Sequence, residues 1–325
     1  MTKKSTHKRI CIYLDQFAVS DMIESIDGSL WFEIKKELLI GYEKDILFCP
    51  LSSEHFIETS QKSIENAKIH DLFFNQLSDG YCIKSELFIT SQLISSRIRK
   101  NKTTIKTYMY ENVNGILDNE QNYNEFDRAN HAFRSLISKS TGSLNSFRKE
   151  TNTQKIPLDT KKTLLKALKV QQPLKFINRL KELKEKKGII IKGDKIGDKE
   201  IPNWIDLIID QLLKRHKFTE KEIIKLIREL KTYGFENIPT LDIRSTIEFY
   251  MSLYNKQENS NDHIDIMRIA TGLPIADILL TDKKRKAELI ESKLSIKYHT
   301  KIFSGVESDL NTLLNEIKNY TQHAI

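Results

Sequence analysis

The sequence predicts an α/β protein: a central, mainly parallel sheet flanked by helices, with a large α-helical insertion between its two halves. Three observations carry that expectation. Short apolar, β-prone runs stand near both ends of the chain, RICIYL at 9–14, ILFCP at 46–50 and ADILLTD at 276–282. Between such runs the apolar residues recur at helical spacing. From about Asn101 to Pro239 the chain turns polar and basic, with helical spacing over most of its length.

Taken in order, the first run ends at Asp15, and the residues after it, through Ile26, are spaced for a helix. A second helical pattern covers Leu30 to Tyr42, before the strand 46–50 is stopped by Pro50. Ser52 and Ser53 are suited to cap the next helix, which carries Glu54 and Glu58 early and continues with interruptions towards Leu77. YCIK at 81–84 reads as a short strand, and Ser85 to Lys100 as a helix. In the middle segment helices are expected over 124–139, 159–186, 201–216 and 219–233, the last opened by Thr219 and Glu222 in a capping-box arrangement. A hairpin is expected over 188–202 and a loop over 140–158. The C-terminal part returns to alternation. Helices are expected at 241–256 and Asp262–Thr271, a strand at 276–282, a helix at 283–292, a strand LSIKYH at 294–299 and a last helix at 306–320. The domain expectation is therefore a discontinuous α/β domain of 1–100 and 240–325 around a helical insertion of 101–239.

Composition narrows the partners. The chain has 325 residues, 39% hydrophobic and 30% charged, which suits a folded soluble body. A net charge of +8 favours an acidic partner, with nucleic acid first. Cys11, Cys49 and Cys82 lack the close spacing of a zinc cluster or a disulfide framework and read as buried thiols. No run approaches the about 20 apolar residues of a membrane span, and Asp15 cuts short the N-terminal apolar run, so a cytoplasmic protein is expected. Nothing in the residues chooses an oligomeric state.

The acids fall where a parallel sheet gathers its ligands, outside the carboxyl ends of the strands. Asp15 ends the first strand, Glu54 opens the helix after the second, Asp262 opens another helix and Asp282 follows the last apolar run. Converging carboxylates stay ionised together only at a cost that a cation removes. Oxygen ligands without Cys or His favour Mg2+ or Mn2+. Asp265, one helical turn beyond Asp262, shares its face. Asp277 is placed less favourably, because its odd separation from Asp282 puts the two on opposite faces of a strand.

IYLDQF at 12–17, PLSSEHFIE at 50–58 and NDHIDIMRIATGLPIADILLTDKK at 261–284 resemble the acidic motifs of PIN-like nucleases. The resemblance covers about 9–100 and 240–300. It implies a Mg2+- or Mn2+-dependent nuclease site of Asp15, Glu54, Asp262 and Asp282, with Asp265 sharing or replacing the Asp262 role. It also implies RNA in preference to DNA as substrate. The alternative it leaves open is an inactive nucleic-acid-binding or regulatory scaffold of the same fold. Other chemistries lack their residues: Asp15 is followed by Gln16 and Phe17 instead of the DxD of haloacid-dehalogenase-type phosphatases, and neither GxSxG nor GxxxxGK[ST] occurs. Gln16 reads as substrate-facing or as a structural hydrogen-bonding residue. His55, His131 and His263 read as polar surface or supporting residues, Phe17, Trp31 and Trp204 as core. Thr281 is suited to orient Asp282 or meet a phosphate. The lysines between Lys161 and Lys195 are a candidate phosphate-tracking face.

Overall fold

The computed structural model describes residues 9–59, 62–111, 113, 157–185, 193–196, 199–202, 204–253 and 260–323. The helix expected over 124–139, the residue His131 and nearly all of the loop expected over 140–158 lie outside them. The described residues form two compact units. One takes those up to Lys84, those from Tyr108 to residue 113 and those from Thr271 onward; the other takes Ser85–Thr107 and those from 157 to Ala270.

The first unit opens with β1 (Ile10–Leu14), α1 (Gln16–Ile23), α2 (Leu30–Glu43), β2 (Leu47–Phe48), β3 (Leu51–Ser52), α3 (Ser53–Thr59), α4 (Ile64–Ser78) and β4 (Cys82–Ile83). In the second unit lie α5 (Glu86–Arg99), the short α6 (Ile105–Tyr108), after which β5 (Met109–Tyr110) belongs to the first unit again, α7 (Leu158–Glu185), the hairpin strands β6 (Gly193–Ile196) and β7 (Lys199–Pro202), α8 (Trp204–Asp210) with a π-helical turn over Gln211–Arg215, α9 (Glu220–Tyr233), α10 (Pro239–Leu253) and α11 (Ser260–Gly272). The chain then returns to the first unit with β8 (Ile278–Leu280), α12 (Lys283–Glu291), α13 (Leu294–Tyr298), β9 (Lys301–Phe303) and α14 (Glu307–His323).

The central sheet is four-stranded, in the order β2-β1-β8-β9, and every pairing in it is parallel. Ile12 stands beside Ile278 and Leu14 beside Leu280. Parallel strands sit between helical layers and bury both faces, which is why β1 and β8 are apolar without alternation. One face, with Ile12, Leu14, Ile278 and Leu280, joins Val19 and Met22 of α1, Ile34 and Leu38 of α2 and Leu313 and Ile317 of α14 in a single core. On the other face Tyr13 lies against Gly272, where a Cβ would stand 3.0 Å from the ring. That close approach accounts for the glycine at this position.

The expected strand of 46–50 is present as the short β2, ending before Pro50, and beyond the proline β3 enters a second sheet, pairing parallel with β4, which pairs antiparallel with β5. Cys49 N–H donates to Leu77 O and Leu51 N–H to Tyr81 O, so the chain changes partners at the proline, which has no N–H to give. LSIKYH, expected as a strand, is a short helix, and the last parallel strand is Lys301–Phe303. Lys293 and His299, both at positive φ, bracket that helix, and Ile296 points to solvent instead of into a sheet.

In the second unit α9 begins with the expected capping box. Thr219 Oγ1 accepts from Glu222 N–H at 3.3 Å, while Glu222 Oε2 accepts from Thr219 N–H at 2.8 Å. Thr219→Ala is expected to cost about 1 kcal/mol, read as a lower unfolding temperature. The bond from Arg99, then those from Thr219, hold the Glu222 carboxyl at about 2. A depressed acid stabilises the fold above its ordinary pKa of 4.5 and loses that contribution as the pH falls through about 2, so acid unfolding should shift least in Glu222→Gln over that window.

The three cysteines are buried thiols, and burial pushes Cys49 well above the usual thiol range and Cys82 up to about 12. Among the described residues no helix is long and apolar enough to cross a membrane.

Candidate active site

The carboxyl ends of β1 and β8 stop side by side, and each is followed at once by an acid. Asp15 N–H still donates to Leu280 O at 3.0 Å, so Asp15 extends the ladder by one residue before α1 begins. Asp15 occupies the N-cap position of α1, yet its side chain makes no capping bond to that helix. Its Oδ2 instead accepts the Thr281 hydroxyl at 3.3 Å. Thr281 thus orients the carboxylate of the neighbouring strand, where the sequence suggested Asp282 or a phosphate as its partner.

Asp282 caps α12: Oδ1 accepts from Lys284 N–H at 2.7 Å and from Arg285 N–H at 3.0 Å. Those bonds fix the side chain's rotamer. The cap engages one oxygen of Asp282, which is partly exposed at the carboxyl end of β8.

β3 and α3 bring Glu54 to the same end of β1. The link is His55, 1% exposed. Its Nδ1 accepts from Ser52 N–H at 3.1 Å, and since an amide can only donate, the ring proton resides on Nε2 and is given to Leu14 O at 2.8 Å. The ring stacks on Tyr13 and tilts against Phe74, and Tyr13 OH donates to Ser52 Oγ at 2.9 Å. His55 is therefore a buried pin between α3 and the residue before Asp15. Glu54 itself is fully buried, and its charge adds to the effect of burial in raising the Cys82 thiol.

No family model matches this chain, and no curated protein or solved structure does either. What the site can do rests on its own residues.

Among the described residues no group of three or more His, Cys, Asp or Glu side chains forms a ready-made metal cage. Mg2+ does not need one, because it keeps several waters and is held through one or two carboxylates plus the phosphates of a substrate. Asp15, oriented by Thr281, and Asp282, with one oxygen outside its cap, are carboxylates of that kind on adjacent strand ends.

The remaining candidates sort by position. Asp262 lies in the first turn of α11 and is buried. Asp265, on the same helix, forms an ion pair with the buried Arg268 guanidinium one turn on. Asp277 is structural: its Oδ2 accepts from Cys11 N–H at 2.9 Å and its own N–H donates to Cys11 O, at the opposite end of the strands from Asp15. Gln16 is 6% exposed; its Nε2 donates to Thr59 Oγ1 at 3.2 Å, while Oε1 meets no donor among the described residues. Phe17 and Trp31 pack edge to face beside the core, as expected of packing residues.

Proposed function

We propose that the chain is a PIN-like, metal-dependent phosphodiesterase that cuts RNA, with the sequence between its two α/β halves as an inserted helical region. The observation that carries this is the pair of acids on adjacent parallel strand ends, Asp15 held by Thr281 and Asp282 held by the first turn of α12. Open parallel sheets bind ligands at that edge. Asp15 and Asp282 would hold Mg2+ or Mn2+, which would supply Lewis acidity toward a phosphodiester and an activated water.

The protein's part is orientation. Thr281 keeps the Asp15 carboxylate turned away from the α1 backbone, and the α12 cap holds Asp282 in one rotamer. Glu54, next in the chain to the His55 pin, is fully buried and enters this reading through the sequence motif. Asp262 and Asp265 enter this reading through the sequence motif alone, and the preference for RNA over DNA through the resemblance alone. The enclosure of Glu54 favours the second reading, a scaffold of the same fold that binds nucleic acid without cutting it.

The test is cleavage of end-labelled single-stranded RNA and DNA by the purified protein in Mn2+, Mg2+ or EDTA. RNA cleavage that requires either metal is expected. Binding with no cleavage in any metal would overturn the catalytic reading in favour of the scaffold.

A further inference from the structure

Within the first unit α1 packs against α4, and a hydroxyl stands at that contact. Ser20, in the second turn of α1, is partly exposed, whereas His70 of α4 is buried. Ser20 Oγ lies 3.0 Å from His70 Nε2, and Lys62, between α3 and α4, donates from Nζ to the same oxygen at 3.2 Å. The hydroxyl also reaches Gln16 O, one helical turn back, at 3.1 Å.

The protons of this cluster are fixed by their partners. His70 Nδ1 is 2.8 Å from Asn66 O. A carbonyl can only accept, so Nδ1 carries the ring proton and Nε2 presents its lone pair to Ser20. Lys62 can only donate, so Oγ receives its bond and gives its own single proton to Gln16 O or to Nε2. Burial, with the Lys62 charge acting the same way, lowers the His70 imidazole below its usual range and outweighs the Asn66 bond and the Glu24 charge, which raise it. The ring is therefore neutral at neutral pH. A serine inside a helix is satisfied by the carbonyl one turn back and needs neither ring nor ammonium. Ser20 has both. A base within reach, oriented in turn by a third group, and a cation beside the oxygen are the parts of an activated nucleophile.

We infer that Ser20 is a nucleophile with His70 as its general base, and that it accepts the acyl group of an activated carboxylic ester. Oγ bonds to the ester carbonyl carbon while its proton passes to Nε2. The bond from that carbon to the leaving oxygen then breaks, and the leaving oxygen takes the proton from Nε2. The acyl group stands on Ser20 as an ester, with nothing oxidised or reduced. An ester carbonyl is planar and uncharged, so it reaches a half-buried hydroxyl at less cost than a phosphate, which would shed its water there. The nucleophile sits on a helix instead of the elbow of GxSxG, and its base lies 50 residues on, so no short motif announces it. The reaction needs no metal and rests on neither Asp15 nor Asp282.

The test is acetylation of the full chain by p-nitrophenyl acetate in EDTA, followed by p-nitrophenolate release and peptide mass spectrometry. Acetyl on Ser20 is expected, with a p-nitrophenolate burst of about one per chain that Ser20→Ala removes. His70→Gln should slow the acetylation of Ser20 by about 100-fold or more, the usual share of a general base. Lys62→Met should slow it as well. In the wild type the rate should rise with pH as His70 loses its proton and level off below the ring's ordinary 6.5, where a serine ionising by itself would still be rising. That profile decides the role of His70 even if His70→Gln fails to fold. Ser91, 3.3 Å from His216 Nε2 but fully buried, should stay unmodified. Acetyl confined to lysines, Ser91 acetylated alongside Ser20, a folded His70→Gln as fast as the wild type, or a rate still rising well above pH 6.5 would overturn the inference.

Discussion

Asp282→Asn is expected to reduce metal-dependent RNA cleavage by more than about 100-fold while leaving the fold intact. Removing partners one step away from a metal already costs about 10- to 100-fold, and this change removes a ligand's charge. Asparagine is the informative replacement because it caps helices as well as aspartate does, so the bonds from Lys284 and Arg285 N–H survive. Asp282→Ala would lose the cap as well, about 1 kcal/mol, and confuse the two effects. Asp15→Asn should behave alike, since its amide oxygen still accepts from Thr281. Cleavage kinetics beside thermal unfolding of each variant decide the matter. Activity within a few-fold of wild type in both would exclude these carboxylates as the metal site.

The second large effect lies at the residue whose N–H makes the second cap bond. Arg285 is fully buried, and its guanidinium meets Glu288, 1% exposed, at 2.5 Å. Breaking a buried pair strands the surviving charge, so Arg285→Ala is expected to destabilise the first unit by about 3–5 kcal/mol. Replacing the pair together, Arg285→Met with Glu288→Leu, should recover most of that loss, because well-packed apolar side chains avoid the desolvation of both ions. Denaturant unfolding of the single and double variants measures both. A loss below about 1 kcal/mol in the single variant would show that the pair is hydrated and not structural.

The sheet was legible because its strands are buried on both faces, which leaves apolar, β-branched runs such as ICIYL and ILL that no surface strand would carry. Thr219 and Glu222 announced α9 because a capping box is entirely local. LSIKYH misled for the converse reason: over six residues an alternating pattern also fits a one-turn helix, and only the backbone at Lys293 and His299 separates the two. Of the candidate site, Asp15 and Asp282 could be read from their places after apolar runs. The roles of Thr281 and His55 could not, because both depend on which strand end lies beside which, and no local spacing encodes the Thr281 bond to Asp15 or the His55 bond to Leu14. Asp265 shows the same limit, since a helical face predicts proximity but not that Arg268 engages the carboxylate.

The two strands that carry these acids meet across a separation of 266 residues. At roughly 5–20 residues per second, a ribosome needs about 13–50 s after making β1 before its β8 neighbour exists. Through that interval the nascent β1 has β2 on one flank and an unsatisfied edge on the other, which calls for shielding by a chaperone or by the ribosome surface. The same delay withholds the paired acids from a growing chain. On the proposed reading, the acids that would cut RNA are brought together only once β8 has been made.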